Sequence, residues 1–168
     1  NWFFENQTLT GEPGNVVYDS NPEPFFIEKA LSLGIADSEV NEIGSMGYGA
    51  AWGDYDNDQD FDLYLTNWGV NRLYNNDDNT FTNVADGQGV ESEELSNGVS
   101  WGDYNNDGML DLWTSNIRKP DDVYINMGDG TWDTTSSPYF LSGTQDLISG
   151  DINNDGWLDV FAAGLKMQ

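Results

Sequence analysis

One nine-residue pattern, Asp-x-Asp/Asn-x-Asp-x-x-x-Asp, occurs three times in this chain and narrows what it can fold into. The copies are Asp54-Tyr55-Asp56-Asn57-Asp58-Gln59-Asp60-Phe61-Asp62, Asp103-Tyr104-Asn105-Asn106-Asp107-Gly108-Met109-Leu110-Asp111 and Asp151-Ile152-Asn153-Asn154-Asp155-Gly156-Trp157-Leu158-Asp159. They start at 54, 103 and 151, steps of 49 and 48 residues. Oxygen side chains at alternate positions of a tight loop can converge on one point, and calcium takes roughly six to eight oxygens. Without a cation, carboxylates that close repel one another. Asp, Asn and Gly are turn residues in any case, but three matches in register point to calcium loops.

The surroundings of the loop decide which kind it is. An EF-hand needs a bidentate Glu at position 12 and continues into a helix. Position 12 here is Leu65, Thr114 or Ala162, and the fourth acidic residue sits at position 9 (Asp62, Asp111, Asp159). The third loop starts like a dockerin, but that module also uses position 12. The segment after each loop is short and apolar, as in Leu63-Tyr64-Leu65, Leu112-Trp113-Thr114 and Val160-Phe161-Ala162. Such runs suit strands. The loops are therefore expected between two β-strands.

The repeat extends beyond the loop. Gly49-Ala50-Ala51-Trp52-Gly53 matches Gly98-Val99-Ser100-Trp101-Gly102, and Asp146 to Gly150 is a diverged copy. Downstream, Asn71-Arg72-Leu73-Tyr74-Asn75-Asn76 parallels Asp121-Asp122-Val123-Tyr124-Ile125-Asn126. Turns at Asn76-Asp77-Asp78-Asn79 and Gly128-Asp129-Gly130 lead into Thr80-Phe81-Thr82 and Thr131-Trp132-Asp133. Each unit reads as four short strands within a period of 40–50 residues, the signature of a β-propeller blade. The expected fold is all-β, about three blade equivalents of four-stranded antiparallel sheets. The boundaries are 1–45 for the second half of a blade with a loop insertion, 46–94 and 95–142 for two blades, and 143–168 for the first half of another.

These motifs resemble the FG-GAP and VCBS repeats of integrin-α-like propellers, particularly the bacterial type related to cartilage acidic protein. The resemblance rests on Trp52 to Asp58, Trp101 to Gly108, the Asn-Arg-Leu-Tyr run at 71–74 and the Thr-Phe-Thr-Asn-Val-Ala run at 80–85. It covers nearly the whole chain. It implies calcium held by side chains at positions 1, 3, 5 and 9 (Asp54, Asp56, Asp58, Asp62; Asp103, Asn105, Asp107, Asp111; Asp151, Asn153, Asp155, Asp159). It further implies the backbone carbonyl at position 7 (Asp60, Met109, Trp157) as a ligand, for about three ions in all. Position 6 is Gly108 and Gly156 in two loops but Gln59 in the first, where a positive φ would cost on the order of 1 kcal/mol.

In the same register, Asn1 to Asn6 matches Asn71 to Asn76, and Phe25 to Ile35 matches Thr80 to Val90, with Gln7 to Pro24 read as a surface insertion. The chain thus reads as half a blade, two blades and half a blade. Propellers usually close with about four to eight blades. The expectation is an excerpt of a longer chain, or copies that complete one another's half-blades by strand addition.

Charge bears on partners. The net charge is −25, with 30 acidic against 5 basic residues. Such a chain should be repelled by nucleic acid and by anionic lipid, and no run approaches the ~20 apolar residues of a membrane span. Acid-rich calcium loops suit the millimolar calcium outside cells, so a secreted or cell-surface location is expected. The partner would be an extracellular protein or glycan, or further copies of the chain. Asn6-Gln7-Thr8 is a glycosylation sequon. Trp52 and Trp101 are expected to pack between blades, whereas Trp68 and Trp113 lie elsewhere in their repeats, which leaves sugar stacking open to them. The chain has no His and no Cys, which excludes Ser-His-Asp, Cys-His and zinc-hydrolase arrangements. The expected role is a non-enzymatic binding, adhesion or structural module. The alternative is a fragment of a carbohydrate-active enzyme, a polysaccharide lyase or glycosidase, whose active site lies outside this segment.

Overall fold

Short apolar and aromatic runs bounded by Asp, Asn and Gly form strands rather than helices, and the computed structural model has twelve of them among the described residues. It describes residues 4–6, 26–36, 46–136 and 143–164. The reading of Gln7 to Pro24 as a surface insertion lies outside these residues. The chain divides into two compact units, 1–38 and 39–168.

In the first unit, β1 (Phe4–Asn6) pairs antiparallel with β2 (Phe26–Glu28), Glu5 opposite Ile27. A turn comes next in which Ile35 N–H donates to the Ala30 carbonyl at 3.0 Å, Gly34 has φ 75°, and Ala30 and Ile35 are buried. The second unit repeats this device. After the short helix α1 (Ala85–Gln88), Val90 N–H donates to the Ala85 carbonyl at 3.1 Å, Gly89 has φ 73°, and Ala85 and Val90 are buried. The αL glycine ends the turn so that the next apolar residue folds back into the core.

Among its described residues, the second unit holds two four-stranded antiparallel sheets and one two-stranded sheet. The first is β3 (Met46–Gly53), β4 (Asp62–Trp68), β5 (Arg72–Asp77) and β6 (Thr80–Asn83), in that order. The second is β7 (Ser96–Gly102), β8 (Asp111–Asn116), β9 (Asp122–Asn126) and β10 (Trp132–Ser136), again in sequence order across the sheet. β11 (Thr144–Gly150) pairs with β12 (Asp159–Gly164). These are propeller blades, and each Asp-rich segment joins the first two strands of its blade.

The first strands β3, β7 and β11 lie side by side, which requires close backbone approach. A Cβ on Gly49 would collide with the Asn97 carbonyl oxygen, and one on Gly98 would lie 2.7 Å from Cα of Asp146. Only glycine fits at these equivalent positions. Their N–H groups donate to hydroxyls on the neighbouring strand, Thr66 Oγ1 at 2.8 Å and Ser115 Oγ at 2.6 Å. Between the blades, Tyr55, Tyr64, Leu73, Val90, Leu112 and Tyr124 form the buried cluster. Trp101 ties it together, stacked on Tyr55 at 6.2 Å, edge-on to Tyr64 at 6.3 Å and donating from Nε1 to the Ala51 carbonyl at 3.1 Å. Each such ring pair contributes about 0.5–1.5 kcal/mol beyond its burial. Trp52 differs from its counterpart: it is half-exposed and meets Phe81 of its own sheet.

Candidate metal centres

Each loop must reverse the chain between β-strands within eight residues, and left-handed backbone makes that possible. Asn57, Asn106 and Asn154, all at position 4, have φ 61°, 59° and 59°, and position 6 is left-handed too, in Gln59 (80°), Gly108 (91°) and Gly156 (89°). Asn tolerates this region, Gly is free in it, and Gln is strained there.

The position-1 carboxylate organises the turn. Asp54 accepts the N–H groups of Asp58 and Gln59, both at 3.1 Å. Asp103 accepts those of Asp107 and Gly108, at 3.0 and 2.9 Å, and Asp151 those of Asp155 and Gly156, at 3.1 and 2.9 Å. Position 5 accepts from position 7: Asp58 from Asp60, Asp107 from Met109 and Asp155 from Trp157. These bonds turn side-chain oxygens toward one centre. In the first loop, Asp54, Asp56 and Asp58 each bring a carboxylate oxygen within 4.8 Å of the other two. Two oxygens bound to one calcium at ~2.3–2.6 Å can be no more than about 5 Å apart, so the donor set fits a calcium ion. In the other loops position 3 is Asn. Asn105 and Asn153 direct their amide nitrogens to Asp107 and Asp155, at 2.8 and 3.1 Å.

Position 9 is placed differently. Asp62 and Asp111 are completely buried at the first residue of β4 and β8. Asp62 accepts N–H groups from Tyr55 at 3.1 Å and Asn76 at 2.9 Å. Asp111 accepts them from Tyr104 at 2.9 Å and Asn126 at 2.8 Å. Asp159 accepts one, from Ile152 at 3.2 Å. Each oxygen keeps a second lone pair. Burial pushes the Asp62 carboxyl up to about 6; the two N–H donors oppose this, and the charges of Asp56 and Asp58 add to it. Asp111 is raised for the same reasons, chiefly burial, with Asp107 and Asp103 as the neighbouring charges.

At position 7 the Asp60 side chain turns away and accepts the N–H of Asp78 at 2.8 Å. Its carbonyl is then what position 7 has to offer, as with Met109 and Trp157, whose side chains carry no hard oxygen.

Two sets of residues go beyond the alternating oxygens. Asn76 and Asn126, at equivalent places in β5 and β9, hold position 9 through their N–H groups and bond the carbonyls of Phe61 and Leu110 through their amides, at 3.1 and 3.2 Å. The Asn at position 4 links neighbouring loops. Asn57 Nδ2 lies 3.4 Å from the Gly108 carbonyl and 3.1 Å from the Met109 sulfur, and Asn106 Nδ2 lies 3.0 Å from the Gly156 carbonyl. The signal for both is an Asn recurring at a fixed place in the repeat.

Residues 54–114 and 103–162 each match the family model of an FG-GAP-like repeat. Each match begins on the first Asp of one loop and runs through the next loop. Comparison with curated proteins gives no match.

Proposed function

Because the chain belongs to the FG-GAP-like repeat family, whose two matches together span 54–162, we propose that it is a calcium-stabilised propeller module. In this reading it works outside the cell, as a binding or structural unit rather than an enzyme. The observation that carries it is the convergence of Asp54, Asp56 and Asp58 within 4.8 Å in a pre-shaped loop. Such a cluster destabilises the fold through like-charge repulsion unless a cation sits among the oxygens. Bound calcium supplies that compensating charge. Asp54, Asp56, Asp58 and Asp62 with the Asp60 carbonyl would hold one ion. Asp103, Asn105, Asp107 and Asp111 with the Met109 carbonyl would hold a second, and Asp151, Asn153, Asp155 and Asp159 with the Trp157 carbonyl a third.

Calcium affinities of extracellular modules lie near ~10⁻⁴–10⁻³ M, which supports an extracellular setting for such open loops. The absence of His and Cys from the sequence supports a non-catalytic role. The net charge of −25 weighs against nucleic acid or anionic lipid as partner. No helix among the described residues is long and apolar enough to cross a membrane. Thermal unfolding in millimolar calcium and in excess chelator tests the reading. Binding to the folded state alone raises stability by mass action, so the melting temperature should fall on chelation and recover when calcium is restored. Superimposable melting curves would refute it.

A further inference from the structure

At the strand ends remote from the Asp loops, β3, β4, β7 and the residues after β8 enclose a cavity of about 190 Å³. Two of its lining residues are large exposed aromatics. Tyr48 is 49% and Trp68 47% exposed, with ring centroids 6.2 Å apart and planes inclined at 49°. The Trp68 backbone is fixed by pairing with Met46 and by a bridge to Leu95. Polar groups complete the lining: Ser96, Asn97 and Arg118. The Ser96 hydroxyl is used within the fold, accepting from Asn71 and donating to Asn116. Asn97 is different. It is 7% exposed and its carbonyl accepts from Thr66 Oγ1, but its side-chain Oδ1 has no hydrogen-bond partner. A buried acceptor without a donor is destabilising; the residue forms part of the cavity wall, while its Oδ1 atom is itself closed to solvent. Arg118 is exposed and makes no ion pair among the described residues.

We propose that this cavity binds one neutral sugar ring. Its volume is below the ~300–1,000 Å³ of pockets for drug-sized ligands, so it takes a single ring rather than a chain. Two exposed aromatic rings call for a ligand with an apolar face. Arg118, exposed in the lining, supplies donors for a ligand oxygen. Charge separates the ring-shaped candidates. A nucleotide brings phosphate to a chain of net charge −25, and a cation would meet Arg118 with no carboxylate in the lining. A neutral pyranose, with one C–H face and hydroxyls at its edge, suits the Tyr48 and Trp68 rings and Arg118 together. Trp113, the other tryptophan open to this role, is half-buried against Tyr104 of its own blade at 5.7 Å.

The inference names a ligand for the binding role proposed above and rests on that reading only in requiring the folded propeller. Saturation-transfer NMR in millimolar calcium tests it, with the methyl glycosides of glucose, galactose, mannose and N-acetylglucosamine as probes and AMP and choline as controls. At least one glycoside should receive saturation at its ring C–H protons, and its affinity should fall at least tenfold in Trp68→Ala and several-fold in Arg118→Ala. Arg118 is a surface residue, so its variant carries the test if Trp68→Ala does not fold. Near-UV circular dichroism and the calcium-dependent melting temperature are followed on the same samples. A protein that calcium stabilises but none of the four glycosides binds overturns the sugar site alone. Binding that survives both substitutions overturns it too, as does AMP or choline competing at these residues.

Discussion

Asp107 and Asp111 lie four residues apart in the second loop, yet their surroundings predict different responses to substitution. Asp111 is fully buried, with its oxygens on the N–H groups of Tyr104 and Asn126. Replacing it with Ala leaves two buried donors unpaired, at about 1–3 kcal/mol each. Asp111→Ala should therefore lose roughly 2–5 kcal/mol of stability in chelator, and the calcium-dependent gain at the second loop as well. Asp107 is exposed and holds the Met109 N–H at 2.8 Å, a bond that water can replace. Asp107→Ala should change stability little in chelator but remove most of the calcium-dependent gain at the second loop. Urea titrations of both variants in both media would check this, and an Asp111→Ala protein as stable in chelator as Asp107→Ala would contradict it. Gln59 offers a change in the opposite direction. Its φ of 80° is the value for which its counterparts are Gly108 and Gly156. Relief of left-handed strain, less the entropy that glycine loses on folding, predicts that Gln59→Gly stabilises by about 0.5–1 kcal/mol. The Gln59 N–H bond to Asp54 is kept by the glycine. Thermal denaturation of that variant in chelator checks the sign, and a lower melting temperature would contradict it.

At the scale of elements, the strands and the loops between them are legible in the sequence because their signals are local and repeated. Leu63-Tyr64-Leu65 and Leu112-Trp113-Thr114 are short apolar runs after an Asp-rich turn, and they form β4 and β8. The joints between blades are harder to read, since they depend on polar residues whose partners lie about fifty positions away. Trp101 is legible as an inter-blade residue from its place before the loop, but the Asn97 carbonyl that meets Gly49 gives no sequence signal of its own. Asn57 and Asn106 recur at position 4 and look like turn residues, which they are; their amides also reach the position-6 carbonyl of the next loop. That contact ties consecutive loops in one direction along the chain, so the repeats are less independent than a simple solenoid picture holds. Asn106→Gly isolates it, because glycine keeps the left-handed backbone and removes only the amide. Calcium affinity at the third loop should then fall several-fold while the second loop, whose oxygens are untouched, changes little. Calorimetric titration resolves the sites, and an unchanged third site would show that the loops act separately.

For the whole molecule, the balance between proton and calcium follows from where the carboxylates sit. Asp62, Asp111 and Asp121 are buried and Asp56 is crowded by its neighbours, and all four carboxyls are raised from 3.8, chiefly through burial. Asp62 reaches about 6. A raised carboxyl binds its proton more tightly in the folded chain than in the unfolded one. Between about pH 4 and 6 the folded state then carries more protons, and stability falls as pH rises through that window. The sign is opposite to that of salt-bridged carboxylates, which stabilise a fold as they ionise. Asp62 and Asp111 are also two of the position-9 residues assigned to calcium, and Asp56 lies in the first cluster. Calcium would hold these three ionised and reward the state that protons disfavour, leaving only Asp121 to give the original slope. In chelator, the melting temperature should therefore decline from about pH 4 to about pH 6.5. In excess calcium the decline should be much smaller or reversed, with the two curves close together at the acid end and well apart at about pH 7. Differential scanning calorimetry across that range decides it. A chelated protein that gains stability between about pH 4 and 6, or a constant gap between the curves, would contradict the placement of these carboxylates as the calcium-linked groups.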